Sequence, residues 1–330
     1  MIVSTAPGRC GILGNPSDMY GGSVISISTK ERARCELAIG DVGMIQSGDQ
    51  NQTLRNRDDL DLRGDRLDIL RAVMQYFHDD LEDVPIRLSV STDIPMQAGM
   101  AGSTALMVSV VGALNAQFKW GMNPWIIAET ARKIENRVMK VLCGHQDQHM
   151  AVFGGVNHMI FLGKENLEQR DDEPLATVEP LAPYLKRIPL LCAHTGLKHH
   201  SGSVHRSPRE RWLAGEKQVV ESFHRIADLP RLGKRAILSG DWKKLGELMN
   251  ENQSIISSLG GSGEVNDRLI YVALDAGAYG AKLAGAGGGG TILVLTDHPR
   301  KVGNALLKAG ADSLMYPQPS PGLNVRIVSE

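Results

Sequence analysis

PMQAGMAGSTAL, residues Pro95 to Leu106, stands between the strand-like VPIRLSVSTDIP and the apolar run ALMVSVVGALNAQF. The order strand, glycines, helix puts very small residues at a helix mouth. Unpaired N–H groups and the positive end of the helix dipole lie there. Gly99 and Gly102 let phosphate oxygens come close to those groups. Ser103 and Thr104 stand where a hydroxyl reaches a phosphate or a magnesium ion, and where it would equally serve as an ordinary helix cap. The helix that follows is apolar nearly all round, which puts it in a core.

The 330 residues suggest two domains. With 42% apolar and 22% charged residues the chain reads as globular, and its 36 glycines suggest loops where backbone meets ligand. A formal net charge of −1 without a basic tail argues against a nucleic-acid partner. Cys10, Cys35, Cys143 and Cys192 are scattered and form no C-x-x-C, which predicts reduced thiols in a cytoplasmic protein, with no disulfide framework and no zinc site. The start, MIVSTAPGRC, lacks the apolar core of a secretory signal, and the apolar runs are short of a membrane span.

MIVSTAPGRCGILG reads as short strands around a turn, and SVISISTKERARCELAI as two strands or one bent strand. Residues 46–66 are polar and read as loop. LDILRAVMQYFHDDL has helical periodicity. A second helix is expected from Pro124 to Leu142, with Ile127, Ala131, Ile134, Val138 and Val141 as its stripe and Gly144 as its cap. GGVNHMIFL, IPLLCAHTG and TILVLTD read as strands; 210–227, 242–252 and LIYVALDAGAYGAKLA read as helices. The charged, proline-rich 163–189 is the candidate boundary. Strands and helices mix without strict βαβ alternation, so the expected class is α+β.

A second glycine run, KLAGAGGGGTILVL, contains G-x-G-x-x-G at Gly285, Gly287 and Gly290. Its order is helix, glycines, strand, the reverse of the dinucleotide fingerprint. No Walker lysine is followed by Ser or Thr.

APGRCGILGNPSDMYGG (6–22), PMQAGMAGSTAL and KLAGAGGGGTILVL resemble, in order, the three motifs of the GHMP kinase superfamily, and CGHQDQHMAVFGG (143–155) resembles the DQ segment of its sugar-kinase branch. Met100 stands for the usual Leu, and Thr104 follows Ser103 where a second small residue is usual. The resemblance implies a two-domain kinase: a ribosomal protein S5 domain 2-like domain over 1–185 and a ferredoxin-like domain over 186–330, with ATP and Mg²⁺ in the cleft. It makes Pro95, Gly99, Met100, Ala101, Gly102, Ser103, Thr104 and Ala105 the nucleotide loop, and Ser103 and Glu135 the metal ligands. Asp147 becomes the catalytic carboxylate and Arg9 its basic partner. Glu135 precedes Asp147 by twelve positions, a spacing similar to the family's. An exposed helix Glu, a turn Asp and a surface Arg are the plainer readings of these three. His145 and His149, four apart without a Glu between them, read as polar lining rather than zinc ligands.

For the acceptor, NPSDMYGG and GHQDQ favour a sugar, with Asn15, Asp18, Tyr20, Gly144, Asp147, Gly285 and Gly287 around it. An aspartate can accept from two neighbouring hydroxyls. LGNPSD resembles the glucuronokinases, and HTGLKHHSGSVHR, with Thr195, Gly196 and Ser201, resembles the heptose-phosphate kinases. Both act on an anomeric hydroxyl of an anionic sugar, and the basic run Lys198, His199, His200, His205, Arg206, Arg209 suits an anion. The expectation is a sugar 1-phosphate-forming kinase, glucuronate first, acting as a monomer or homodimer. Heptose 7-phosphate, mevalonate or another isoprenoid precursor, and a non-catalytic sugar-binding protein, are the alternatives.

Overall fold

In chain order the first half runs β1 (Ile2–Leu13), β2 (Ser23–Ile39), β3 (Gly43–Ser47), β4 (Gln50–Leu54), α1 (Asp68–Tyr76), β5 (Ile86–Thr92), α2 (Gly102–Phe118), α3 (Pro124–Lys133), α4 (Gln146–Phe153), β6 (Val156–Ile160) and β7 (Thr177–Pro180). The second half runs β8 (Leu190–His194), α5 (Ser201–Leu213), α6 (Lys217–Ser239), α7 (Trp242–Ser258), α8 (Glu264–Asp275), β9 (Gly280–Leu283), β10 (Thr291–Leu295), α9 (Pro299–Lys308), β11 (Ser313–Met315) and β12 (Asn324–Ile327). This computed structural model describes residues 1–81, 84–165, 172–197, 201–285 and 289–328, and only the backbone of 201–206.

Two antiparallel-rich sheets result, and the class is α+β. The larger has the order β12-β1-β2-β5-β3-β4, with β6 and β7 branching from β2. Register breaks between Pro7 and Arg9 and between Gly11 and Leu13 bend the β1–β2 pair. The Pro-Gly pair therefore sits inside one continuous strand, not in a turn. Bending lets β2 pair with β5 through Ala33–Ile39 and with β6 through Ser23–Ile27. Helix α2 lies against β1 and β2. Its residues from Thr104 to Leu114 are buried on every side, as an all-round apolar helix must be.

The smaller sheet, β11-β8-β10-β9, is antiparallel. One face buries Leu191, Ala193, Ile292 and Val294 under α8 and α9. The other face, with Cys192, Leu293 and Leu295, joins the main core together with Cys10 and Ile12 of β1. After the smaller sheet the chain returns as β12 to pair with β1.

The structure corrects several element boundaries. Residues 46–66 hold the β3–β4 hairpin and a short helical turn at Arg57–Leu60. β3 and β4 are polar because they form an edge, where only Ile45 is fully buried. Helix α3 stops at Lys133 and passes into a wide π turn, Ile134–Val138, so Val141 lies outside the stripe and is 37% exposed. LIYVALDAGAYGAKLA divides into α8 and β9 around Gly277, whose φ of +96° favours glycine. Helix α5 begins at Ser201, and residues 210–227 are interrupted before α6. No helix among the described residues is long and apolar enough to cross a membrane.

Candidate active site

Three glycine-bearing segments meet where β1 of the larger sheet packs against the smaller one. Arg9 N–H donates to Met100 O (3.1 Å) and Gly11 N–H to Ala284 O (2.9 Å), so the first motif touches both of the others through backbone. A Cβ on Gly285 would stand 2.6 Å from Gly99 O, which bars any side chain there. Close backbone approach, more than flexibility, requires that glycine.

The mouth of α2 has the geometry of an anion cradle. Gln97, Gly99 and Ala101 have φ of +57°, +72° and +59°. Ala101 is the N-cap and supplies no side-chain bond. Ser103 and Thr104 lie inside the first turn, so neither is the cap. Left-handed backbone is costly for Gln97 and Ala101. Together with uncapped N–H groups it forms a nest suited to phosphate oxygens.

Ser103 is exposed on that turn, whereas Thr104 points inward and its Oγ1 donates to Glu135 Oε1 (2.7 Å). Glu135 hangs from the π turn after α3 and is 6% exposed. Its other oxygen accepts from Gln148 Nε2 and from the Cys143 thiol (3.5 Å). Burial pushes its carboxyl above the ordinary value, the Thr104 and Gln148 bonds oppose that, and Asp147 adds to it. The resemblance made Glu135 a metal ligand and Thr104 part of the nucleotide loop, whereas the Thr104 hydroxyl is bonded to Glu135; Gln148 was missed, although it directly follows Asp147.

Arg9 is 5% exposed. Its Nε and Nη2 both lie 2.8 Å from Asp147 Oδ1, and its Nη1 donates to Gly99 O and to Ala284 O (3.3 Å). One guanidinium thus ties the carboxylate to the phosphate loop and to the third motif. Asp147 Oδ2 takes no bond among the described residues, and the side chain keeps 27% of its exposure.

Asp147 is the second residue of α4, and Asp18 fixes where that helix starts. Asp18 Oδ2 accepts the N–H groups of His145 (2.7 Å) and Gln146 (3.0 Å), capping α4 from a distant segment. A Cβ on Gly144 would fall 2.0 Å from that oxygen, so Gly144 is the seat of Asp18 and not a helix C-cap. Asp18 Oδ1 is buried and has no partner among the described residues. Burial raises the Asp18 carboxyl above its ordinary value; the N–H groups of Gln146 and His145 oppose this, Asp147 adds to it and Arg9 offsets part.

Other predicted residues are placed as follows. Asn15 Nδ2 donates to Gly285 O (3.3 Å), inside the cluster. The Tyr20 ring stacks on Phe223 (centroids 4.0 Å apart) and tilts against Trp212, joining the first motif to α5 and α6. Thr195 Oγ1 donates to Gly290 O (3.0 Å) and accepts from Leu197 N (3.2 Å), and Gly196 has a φ of +73°. Thr195 braces the third glycine run, and no bond among the described residues joins Thr195 or Gly196 to Arg9 or Asp147. Ser201 begins α5, but its side chain lies outside the described residues, as do Gly287, Lys198, His199, His200 and the side chains of His205 and Arg206.

His145 and His149 are core residues rather than site lining. His145 stacks on Phe161 (5.2 Å), and His149 Nδ1 is 2.8 Å from His145 O. Burial pushes both imidazoles below their ordinary value. Glu129, His145 and Glu173 bring ligand atoms within 4.8 Å of one another, but the Lys164 ammonium already lies 3.1 and 3.0 Å from the two carboxylates, where a metal would sit.

Residues 68–155 match the family model for the GHMP kinases N-terminal domain, and 234–312 that for the GHMP kinases C-terminal domain. The chain is 30% identical over 310 residues to a probable glucuronokinase 2 of Arabidopsis thaliana, covering 85% of this chain and 81% of that one. It is 26% identical over 314 residues to a D-glycero-alpha-D-manno-heptose 7-phosphate kinase of Campylobacter jejuni, covering 91% of each. The galactokinase of Lactococcus lactis, solved with galactose, has the same fold, with a TM-score of 0.76, 18% identity and coverage of 98% of this chain and 95% of that one. The chain belongs to the GHMP kinases and is a phosphotransferase.

Proposed function

We propose that this kinase transfers the γ-phosphoryl group of ATP to the anomeric hydroxyl of an anionic sugar, glucuronate first, giving a sugar 1-phosphate and ADP. The observation that carries the reading is the Arg9 guanidinium, bonded at once to Asp147 Oδ1, to Gly99 O of the phosphate loop and to Ala284 O. Such a bridge sets the carboxylate beside the place where phosphates would lie.

Gly99 to Thr104 would hold the triphosphate through backbone N–H groups, with Pro95 opening the loop and Ala105, whose N–H is bonded to Ala101 O, continuing the helix. Magnesium takes oxygen ligands. The oxygen donors at the same helix mouth fit it: Ser103 and Glu135 would hold it, with Thr104 fixing the Glu135 carboxylate. When bound, the ion neutralises phosphate charge. Asp147 Oδ2, part-exposed and without a partner among the described residues, accepts the proton of the acceptor hydroxyl as its oxygen bonds to phosphorus and the ADP oxygen leaves. Arg9 holds Asp147 oriented and stabilises charge on the transferring group. Asp18 Oδ1, buried and without a partner among the described residues, suits a sugar hydroxyl.

We divide the chain near residue 185, between β7 and β8, and place the protein in the cytoplasm. The acceptor panel that tests the reading is uronic acids, hexoses, heptose 7-phosphate and mevalonate, scored by ATP consumption, with phosphorus NMR locating the new phosphate. Turnover on glucuronate with phosphate on the anomeric oxygen is expected. Turnover confined to mevalonate, or binding of a sugar without ATP consumption, overturns it.

A further inference from the structure

Lys282 sits in β9, 1% exposed, and its ammonium reaches across to the first motif. Its Nζ donates to Asn15 Oδ1 (2.8 Å), Leu283 O (2.6 Å) and Gly11 O (3.4 Å). All three are neutral, and among the described residues no carboxylate pairs with it. Burying a cation without a counter-ion is costly, and a methionine would fill the same space without the charge. Packing alone therefore does not account for a lysine here.

An ammonium can only donate. The atom facing it must be the Asn15 amide oxygen, which turns the Asn15 NH₂ away from Lys282. One of its N–H groups reaches Gly285 O (3.3 Å), and among the described residues the other has no partner. Asn15, Tyr20, Phe223, Lys282 and Gly285 line one cavity between the first and third motifs. Its remaining walls include Pro208, Ile256 and Leu259, so charges there are weakly screened.

We propose that Lys282 is a positioning residue of the acceptor site: it holds the Asn15 amide with N–H towards the cavity, and its uncompensated charge makes the site favour an acceptor bearing a carboxylate or phosphate over a neutral one. This rests on the kinase reading above. Burial, then Arg9, brings the amine down to about 7, with Cys10 opposing. From α7 the neighbours are the neutral amides Asn252 and Gln253, which bind Asn15 O and Leu283 N–H. An anion in the cavity would supply the missing counter-charge.

The test compares the best acceptor in the panel with its partner of opposite charge state (glucuronate with glucose, or heptose 7-phosphate with the free heptose) in wild type, Lys282→Met and Asn15→Ala. In Lys282→Met the KM for the anionic acceptor should rise roughly 10- to 100-fold with the KM for ATP unchanged, and the anionic-over-neutral ratio of kcat/KM should fall by a similar factor. Asn15→Ala should raise the KM for both acceptors while keeping the preference. An unchanged ratio in a Lys282→Met protein that melts like wild type overturns the inference. So does an unchanged acceptor KM in Asn15→Ala, should Lys282→Met fail to fold. A wild type whose best acceptor is a neutral sugar overturns it together with the anionic-acceptor part of the proposed function, while ATP-dependent sugar phosphorylation stands; a wild type that phosphorylates none of the panel overturns both.

Discussion

The hydroxyl of Thr104 donates to the buried carboxylate of Glu135 at 2.7 Å, while Ser103, one position earlier on the same turn, faces outward. Adjacent helix residues point about 100° apart, so one hydroxyl meets the carboxylate while the other stays exposed.

The two hydroxyls should therefore separate in mutants. Thr104→Val leaves Glu135 without a donor at Oε1 and is expected to cost about 1–3 kcal/mol in denaturant unfolding. Ser103→Ala, at an exposed position, should stay within about 0.5 kcal/mol of wild type. It should nevertheless raise the magnesium concentration needed for half-maximal turnover. A magnesium titration at fixed ATP that overlays wild type would remove Ser103 from the metal site.

Asp147→Asn keeps the shape of the side chain and most of its contact with Arg9 but cannot take a proton. Turnover should fall by roughly 10²- to 10⁴-fold with the KM for ATP nearly unchanged. Turnover equal to wild type would exclude Asp147 as the proton acceptor.

Gly144→Ala places a methyl group 2.0 Å from Asp18 Oδ2. Either Asp18 or the start of α4 must move, so a loss of about 1–3 kcal/mol in stability is expected. Turnover should fall as well, because Asp147 rides on that helix end. A variant with normal melting and normal kcat would show that the Asp18 cap does not position Asp147.

Lys282 gives a signature in the pH dependence of stability. Its amine is lowered from 10.5 to about 7 in the folded chain. Between those values the unfolded chain holds more protons, so this group makes stability rise with pH across that window and adds no slope below it. Relative to Lys282→Met, the wild-type unfolding free energy should climb between about pH 7 and pH 10. Parallel urea-unfolding curves at every pH would show that the amine is not buried as a cation.

Parts of the site were legible because they obey local rules. A strand–glycine–helix order and an acidic pair twelve residues apart are sequence facts, and the structure brings Arg9, Gly99 and Asp147 together from three separate segments. Other parts were not. The roles of Gln148 and Thr104 depend on the π turn that swings Glu135 inward, and no periodicity announces that turn. Gly144 looked like the end of one helix because its partner, Asp18, is more than a hundred residues away. Thr195 looked like a ligand to substrate because nothing local shows that Gly290 occupies its hydroxyl.

By itself the sequence determined the class of the fold, the order of the motifs and the buried helix, since these follow from apolar periodicity and from the backbone freedom of glycine, which act over a few residues. Only the tertiary structure decided which hydroxyl meets Glu135, that Asp18 caps α4, and that Lys282 donates to Asn15 Oδ1. Those are contacts between segments far apart in the chain, and their geometry depends on helix phase and strand register, which packing sets.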